Sequence, residues 1–155
     1  MTYTVRFCHL LERPKLAVGQ VVKPCDKIGT MGSSGQSTAI HLHIDCAEGK
    51  HSTAYTLAEM ENGNPRPSPR QLNHFIDADL FGIEPFITSY YADPEYQRAL
   101  LKVHCGYDVV PVDRHKTTAH HGIYWNRSIP GIVTRVTFDP KGYGHHIYIA
   151  FDTED

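Results

Sequence analysis

The chain has 155 residues, a formal net charge of -2 and 11 histidines. Its length corresponds to one domain over residues 1–155, which can bury a core without disulfide bonds. The weak charge gives no electrostatic reason to expect a nucleic acid partner, and no apolar run approaches the roughly 20 residues that a membrane span needs. The histidine count points toward metal or proton chemistry.

The cysteines and the first residues indicate the compartment. The four cysteines occur singly and form no CxxC pair, so the sequence does not predict a cysteine zinc knuckle. Free, mostly buried thiols are expected instead. Residues 1–7 alternate like a strand and lack the apolar stretch of a secretory signal. We therefore expect a protein made in a cytoplasm without a signal peptide.

Most of the chain predicts short strands. Residues 2–10 alternate between apolar and polar side chains, which is the pattern of a half-buried strand. Further strands broken by Gly and Pro are predicted at 18–22, 26–29, 40–46, 86–90, 102–111, 122–125, 131–138 and 145–151. The sequence therefore predicts a mainly β fold.

Residues 47–85 have a different character. A short helix is predicted over 53–60, and a proline-rich connection follows at 64–69. Ser68 and Pro69 then suit the start of a second helix that ends at Gly82. Its apolar face comprises Leu72, Phe75, Ile76 and Leu80. We expect a structural connector with one or two helices.

The segment His41-Leu42-His43 follows a glycine- and serine-rich loop at 29–37. Side chains alternate between the faces of a strand, so both imidazoles project to one side. Two neighbouring imidazoles form half of a metal site or of an acid–base site.

The other half is predicted at His104-Cys105-Gly106-Tyr107-Asp108. In a fully extended strand, His104 and Asp108 would lie about 13 Å apart, but Gly106 permits a bend that brings them together. Histidine nitrogen and aspartate oxygen both suit zinc. The competing segment 120–124 places a tyrosine where the aspartate belongs, and phenol binds zinc poorly at neutral pH.

Together, these segments resemble the lysostaphin/LytM-type zinc endopeptidases, which cleave peptides in bacterial peptidoglycan. The resemblance covers about two thirds of the chain. It rests on the HxGxD pattern at 104–108, the His-Leu-His segment at 41–43, the Val-Gly-Gln-Val-Val…Gly-Thr-Met-Gly approach at 18–32, and the Phe-Cys-His-Leu segment at 7–10.

The order of the segments departs from the family, in which HxGxD comes first and the His-Leu-His segment last. Joining Asp155 to Met1 restores the family order, so we predict a circular permutation. Residues 145–151 and 2–8 should then pair as a β-hairpin, and residues 47–85 should bridge the family's usual termini.

The resemblance implies an antiparallel β-sheet groove of the family's type, formed by residues 1–46 and 86–155. It implies one Zn²⁺ ion bound by His43, His104 and Asp108. It also implies that His9 and His41 are the catalytic histidines, and which of them acts as the general base stays open.

Other side chains are candidates for substrate contact. They are His120, His121, Tyr107, Tyr124 and Trp125. Exposed loop positions explain the two histidines better, and core packing explains the aromatic residues equally well. The remaining histidines, at 51, 74, 115, 145 and 146, are expected to be surface or core residues.

The resemblance implies a monomeric phage lysis enzyme (endolysin) that hydrolyses a stem or cross-bridge peptide of peptidoglycan. It would be made in the host cytoplasm and act on the cell wall or in the periplasm. Two alternatives are a non-catalytic domain that binds peptidoglycan or activates another hydrolase, and a virion protein that opens the wall during entry.

Overall fold

The computed structural model describes residues 1–37, 39–100, 103–113 and 121–154. Seven strands form one sheet in the order β2-β8-β9-β1-β4-β6-β5, and β3 pairs with β7 in a second sheet. The strands are β1 Thr2–Leu10, β2 Val21–Val22, β3 Lys27–Thr30, β4 Leu42–Glu48, β5 Pro85–Ser89, β6 Tyr107–Pro111, β7 Gly122–Tyr124, β8 Gly131–Asp139 and β9 Gly144–Asp152. The mainly β prediction is confirmed.

Strand β1 is the centre of the large sheet. It pairs antiparallel with β4 on one side and with β9 on the other, from Thr2 opposite Asp152 to Phe7 opposite Ile147. The predicted pairing of residues 2–8 with 145–151 is confirmed. The two ends of the chain meet there, because the Met1 ammonium donates to the Thr153 carbonyl at 2.6 Å.

The two faces of the large sheet differ in chemistry. One face buries apolar side chains, among them Val5, Phe7, Ile44, Val109, Ile147 and Ile149. Alternation places Arg6, His43 and Asp45 on the opposite face. That face also carries Asp108 from β6 and Tyr148 from β9. The polar groups of four adjacent strands, β9, β1, β4 and β6, are therefore gathered on one surface.

The connector 47–85 contains two helices, α1 Leu57–Glu61 and α2 Pro69–Asn73. Thr56 and Glu59 form a reciprocal capping box on α1, and Ser68 caps α2 as predicted. Helix α2 is shorter than expected. The Asn126 side chain donates to the Phe75 carbonyl, and the Asp77 carboxylate accepts from the Asp79 amide, so these groups leave the helical pattern.

A third helix, α3 Pro94–Leu100, lies outside the connector 47–85 to which the predicted helices were confined, between the strands predicted at 86–90 and 102–111. The Asp93 carboxylate accepts from the Glu95 amide, and Pro94 occupies the first turn. No helix among the residues described is long and apolar enough to cross a membrane.

Candidate metal centre

The centre begins with the pairing of β4 and β6, which sets His43 directly opposite Asp108. Nδ1 of His43 lies 3.1 Å from Oδ1 of Asp108. Nε2 of the same ring lies 2.8 Å from Oδ2 of Asp45. The His43 side chain is 3% exposed. The strand pairing and the two carboxylates on either side of the ring fix its orientation.

His104 approaches the same carboxylate from the segment before β6. Its Nε2 lies 3.6 Å from Oδ1 of Asp108. Its Nδ1 donates to the Tyr90 carbonyl, which can only accept, so Nε2 is left without a proton in the neutral ring. The predicted bend is present at Gly106. A Cβ there would lie 2.6 Å from the Ile44 carbonyl oxygen and 2.7 Å from the His43 ring.

His43, His104 and Asp108 form a group that could hold a metal ion. One ligand atom from each lies within 4.8 Å of the others. Around a tetrahedral zinc with bonds of about 2.1 Å, ligand atoms are separated by about 3.4 Å. The separations of 3.1 and 3.6 Å at Asp108 Oδ1 match that value. Three protein ligands would leave one coordination position open, as in catalytic zinc sites.

His41 faces the same cluster, as the strand alternation predicts. Its Nε2 lies 3.8 Å from Asp108 Oδ1, and its Nδ1 donates to the Ala39 carbonyl at 2.9 Å. The ring therefore presents an unprotonated Nε2 toward the candidate metal position when it is neutral.

His9 reaches the site through a break in the regular alternation of β1. Its neighbours Phe7 and Leu10 both face the core. A β-bulge lies between Phe7 and Leu10, and His9 adopts a positive φ of 63°. The bulge turns the His9 side chain toward the site, where its ring centroid lies 4.9 Å from the ring centroid of His41.

The bulge is held by the glycine- and serine-rich loop. The Ser34 carbonyl accepts from His9 Nδ1 at 2.8 Å, and the Ser34 hydroxyl donates to the Leu10 carbonyl. Gly35 has a φ of 76°, and a Cβ there would lie 2.2 Å from the Gly144 nitrogen. This loop therefore needs glycine in order to pass against the β8–β9 turn and hold His9.

Arg6 and Asp45 form a buried ion pair behind His43. The guanidinium donates to both carboxylate oxygens at 2.8 Å, and both side chains are fully buried. Burial alone would raise the pKa of Asp45, but the Arg6 charge holds that pKa well below its usual range. A carboxylate behind a metal-ligating histidine orients the ring and raises its basicity.

The protonation of the histidines differs with their surroundings. Burial lowers the pKa of His43, but hydrogen bonds to Asp108 and Asp45 outweigh it and raise that pKa to about 9. Burial lowers the pKa of His9 to about 4, and burial with the nearby His43 charge lowers the pKa of His104. Metal binding at neutral pH would therefore displace a proton from His43.

Two tyrosines that the sequence did not single out border the centre. The Tyr96 ring of α3 stacks on His104 at a centroid distance of 4.2 Å. The Tyr143 ring lies 6.3 Å from His43, and its hydroxyl accepts from the Leu57 amide. Neither tyrosine belongs to the segments 41–43 or 104–108, so the residue spacing within those segments gave no signal for them.

The four predicted substrate residues that the structure describes make their contacts away from the cluster. Trp125 is 1% exposed and packs in the core, and Tyr107 lies on the core side of β6, where it donates to Asn73. Tyr124 faces a separate surface cleft. His121 adjoins Met31 and lies 3.3 Å from Asp113. His120 lies outside the described residues.

The four cysteines are free, and only Cys25 is exposed.

No protein-family model matches the chain, and neither the curated proteins nor the solved structures compared with it give a match. The family resemblance therefore stays a hypothesis based on the residues quoted above.

Proposed function

We propose that the protein is a zinc-dependent peptidase that hydrolyses a peptide bond of bacterial peptidoglycan. The observation that carries the proposal is the convergence of His43, His104 and Asp108, with two further histidines beside them. The resemblance of four segments, in permuted order, to the lysostaphin/LytM-type enzymes supplies the substrate class.

A zinc ion bound by His43, His104 and Asp108 would supply a Lewis acid that activates water and polarises the scissile carbonyl. The chain supplies the proton transfers. His41 and His9 each donate Nδ1–H to a backbone carbonyl, which leaves Nε2 to take a proton from the nucleophile. The resulting imidazolium stabilises the oxyanion and protonates the leaving amine.

The circular permutation remains part of the proposal. It is supported by the antiparallel pairing of β1 with β9 and by the adjacency of Met1 and Thr153. A chain with residues 155 and 1 linked, and with new ends opened at Asn62-Gly63 on the surface, should fold and bind zinc like the original. Loss of folding in that chain would argue against the permutation.

A phage lysis role is the setting we propose for this activity, with the cell wall as the site of action. The test is to measure zinc content and the peptides released from purified Gram-negative and Gram-positive walls. We expect one zinc ion per chain and free amino ends that identify the cleaved bond.

The matched variants are Asp108→Ala and His74→Ala. Asp108→Ala should abolish both zinc binding and wall hydrolysis, whereas the exposed His74 lies outside the site and its variant should retain both. Zinc-free protein that binds walls without cleaving them would favour the non-catalytic alternative. Full hydrolysis by Asp108→Ala would refute the peptidase proposal.

A further inference from the structure

A second cavity lies on the polar face of the sheet, next to the candidate metal centre. Its volume is about 350 Å³, and it is enclosed by the residues leading into α1 and by the β8–β9 hairpin. The Tyr143 ring forms the partition between the two sites. It lies 6.3 Å from the His43 ring and 5.3 Å from that of His146.

Two donors at this cavity have no partner. Nε of Arg135 is buried without a hydrogen bond, and the same is true of the hydroxyl of Tyr55, a side chain that is 4% exposed. Both residues lie against the ring of Tyr148. Buried donors without acceptors are unfavourable, and an acceptor brought by a ligand would relieve them.

The acidic side chains of the cavity are already used locally. Glu59 accepts from Thr56 in the capping box of α1, and Asp139 accepts from the Lys141 amide in the β8–β9 turn. Among the described residues, no carboxylate lies within ion-pair distance of Arg135. The guanidinium is therefore available to an anionic group from outside.

His146 adds an acceptor. It is 3% exposed, and its Nδ1 donates to the Gly144 carbonyl at 2.8 Å, so the neutral ring keeps Nε2 as an acceptor. An acidic residue of a peptide presents a carboxylate, which can accept from Arg135 and Tyr55, and a backbone N–H, which can donate to His146.

We propose that this cavity, which we call the Arg135 subsite, binds the carboxylate of an acidic residue close to the scissile bond. Arg135 and Tyr55 donate to the carboxylate, and His146 accepts from the neighbouring peptide amide. The inference rests on the proposed peptidase function and adds a substrate preference to it.

The test compares two synthetic wall peptides that differ only in one group beside the cleaved bond, a free carboxylate or its carboxamide. The zinc-loaded protein should cleave the acid with a kcat/KM about tenfold above the amide, because a charge-assisted hydrogen bond is lost in the amide. Arg135→Gln should remove the preference, so that this variant cleaves the acid and the amide with equal kcat/KM. Arg135→Lys should keep part of it.

Arg13→Gln is the matched control, because Arg13 is exposed and lies in a different cleft. It should keep the full preference. Equal cleavage of both peptides by the original protein, or a preference that survives in Arg135→Gln, would overturn the proposal.

Binding of both peptides to the metal-free protein, followed by NMR, separates this inference from the peptidase proposal. Acid-selective binding that Arg135→Gln abolishes supports the subsite even where neither peptide is cleaved, which would count against the activity alone. Cleavage without any acid selectivity in binding or rate would count against the subsite alone.

Discussion

The two histidine ligands of the candidate metal centre are held in different ways. His43 lies on β4 beside the central strand of the sheet, and the buried pair of Asp45 and Arg6 stands behind it. His104 lies outside any strand. A backbone carbonyl and the ring of Tyr96 hold it, and no residue of α3 is buried.

This difference shows how one site can combine a rigid half with an adaptable half. On the sheet side, the position of His43 is coupled to the stability of the whole fold. On the edge side, the position of His104 depends on local contacts that can change without unfolding the protein. Mutations on the two sides should therefore separate loss of stability from loss of metal binding.

The largest effect is expected for Arg6→Met on the sheet side. It leaves the Asp45 carboxylate buried without its partner, which typically costs about 3–5 kcal/mol of unfolding free energy. Urea denaturation at pH 7 measures the loss. Arg13→Met is the control and should change stability by less than about 0.5 kcal/mol, because Arg13 is exposed. A similar small change for Arg6→Met would show that the sheet side is not the rigid half.

Gly106→Ala should affect the junction between the two halves. The new methyl group would press on the Ile44 carbonyl and the His43 ring, and overpacking of this kind costs about 1–3 kcal/mol. We expect zinc affinity, measured by competition with a chelator, to fall by about 10- to 100-fold. Gly82→Ala has open space around it but a positive φ of 80°, so it should add backbone strain while leaving zinc affinity unchanged. Unchanged affinity in Gly106→Ala would contradict the tight contact.

On the edge side, Tyr96→Leu should weaken zinc binding without destabilising the fold. Aromatic stacking contributes about 0.5–1.5 kcal/mol, so the dissociation constant should rise by about two- to tenfold. Tyr90→Leu is the comparison, because its side chain is 57% exposed while its carbonyl holds His104. An equal loss of unfolding free energy and zinc binding in Tyr96→Leu would show that α3 is coupled to the core after all.

A final effect concerns the pH dependence of the metal-free protein. The raised pKa of His43 contributes stability that is fully present below its unfolded pKa of about 6.5 and is lost as the pH rises through about 9. The lowered pKa of His104 acts oppositely, and its contribution is present above about 6.5 and lost as the pH falls. NMR titration of the imidazole resonances should show this order, whereas two midpoints near 6.5 would contradict it.

The regular parts of the site were predictable from the sequence. Strand alternation placed His41 and His43 on one side, and Gly106 signalled the bend that joins His104 to Asp108. Ser68 and Pro69 likewise marked the start of α2. Each of these features depends on neighbouring residues and standard backbone geometry.

The remaining features depend on pairing register or on unusual backbone conformations. The alternation of β1 and β4 puts Arg6 and Asp45 on polar faces, but only the register sets them opposite each other. The positive φ at His9 has no local sequence signal, since this region rarely holds a non-glycine residue. Asp93-Pro94-Glu95 did carry a helix-start signal for α3, but helices were predicted only within the connector 47–85.

The position of β1 between β4 and β9 has a consequence for synthesis on the ribosome. Its partner β4 emerges early, whereas β9 is translated after every described residue of the candidate metal centre. Until then, one side of β1 presents unpaired N–H and C=O groups that are open to another chain. Long-range pairing of this kind slows folding, so the nascent chain passes through a stage in which its central strand is an edge strand.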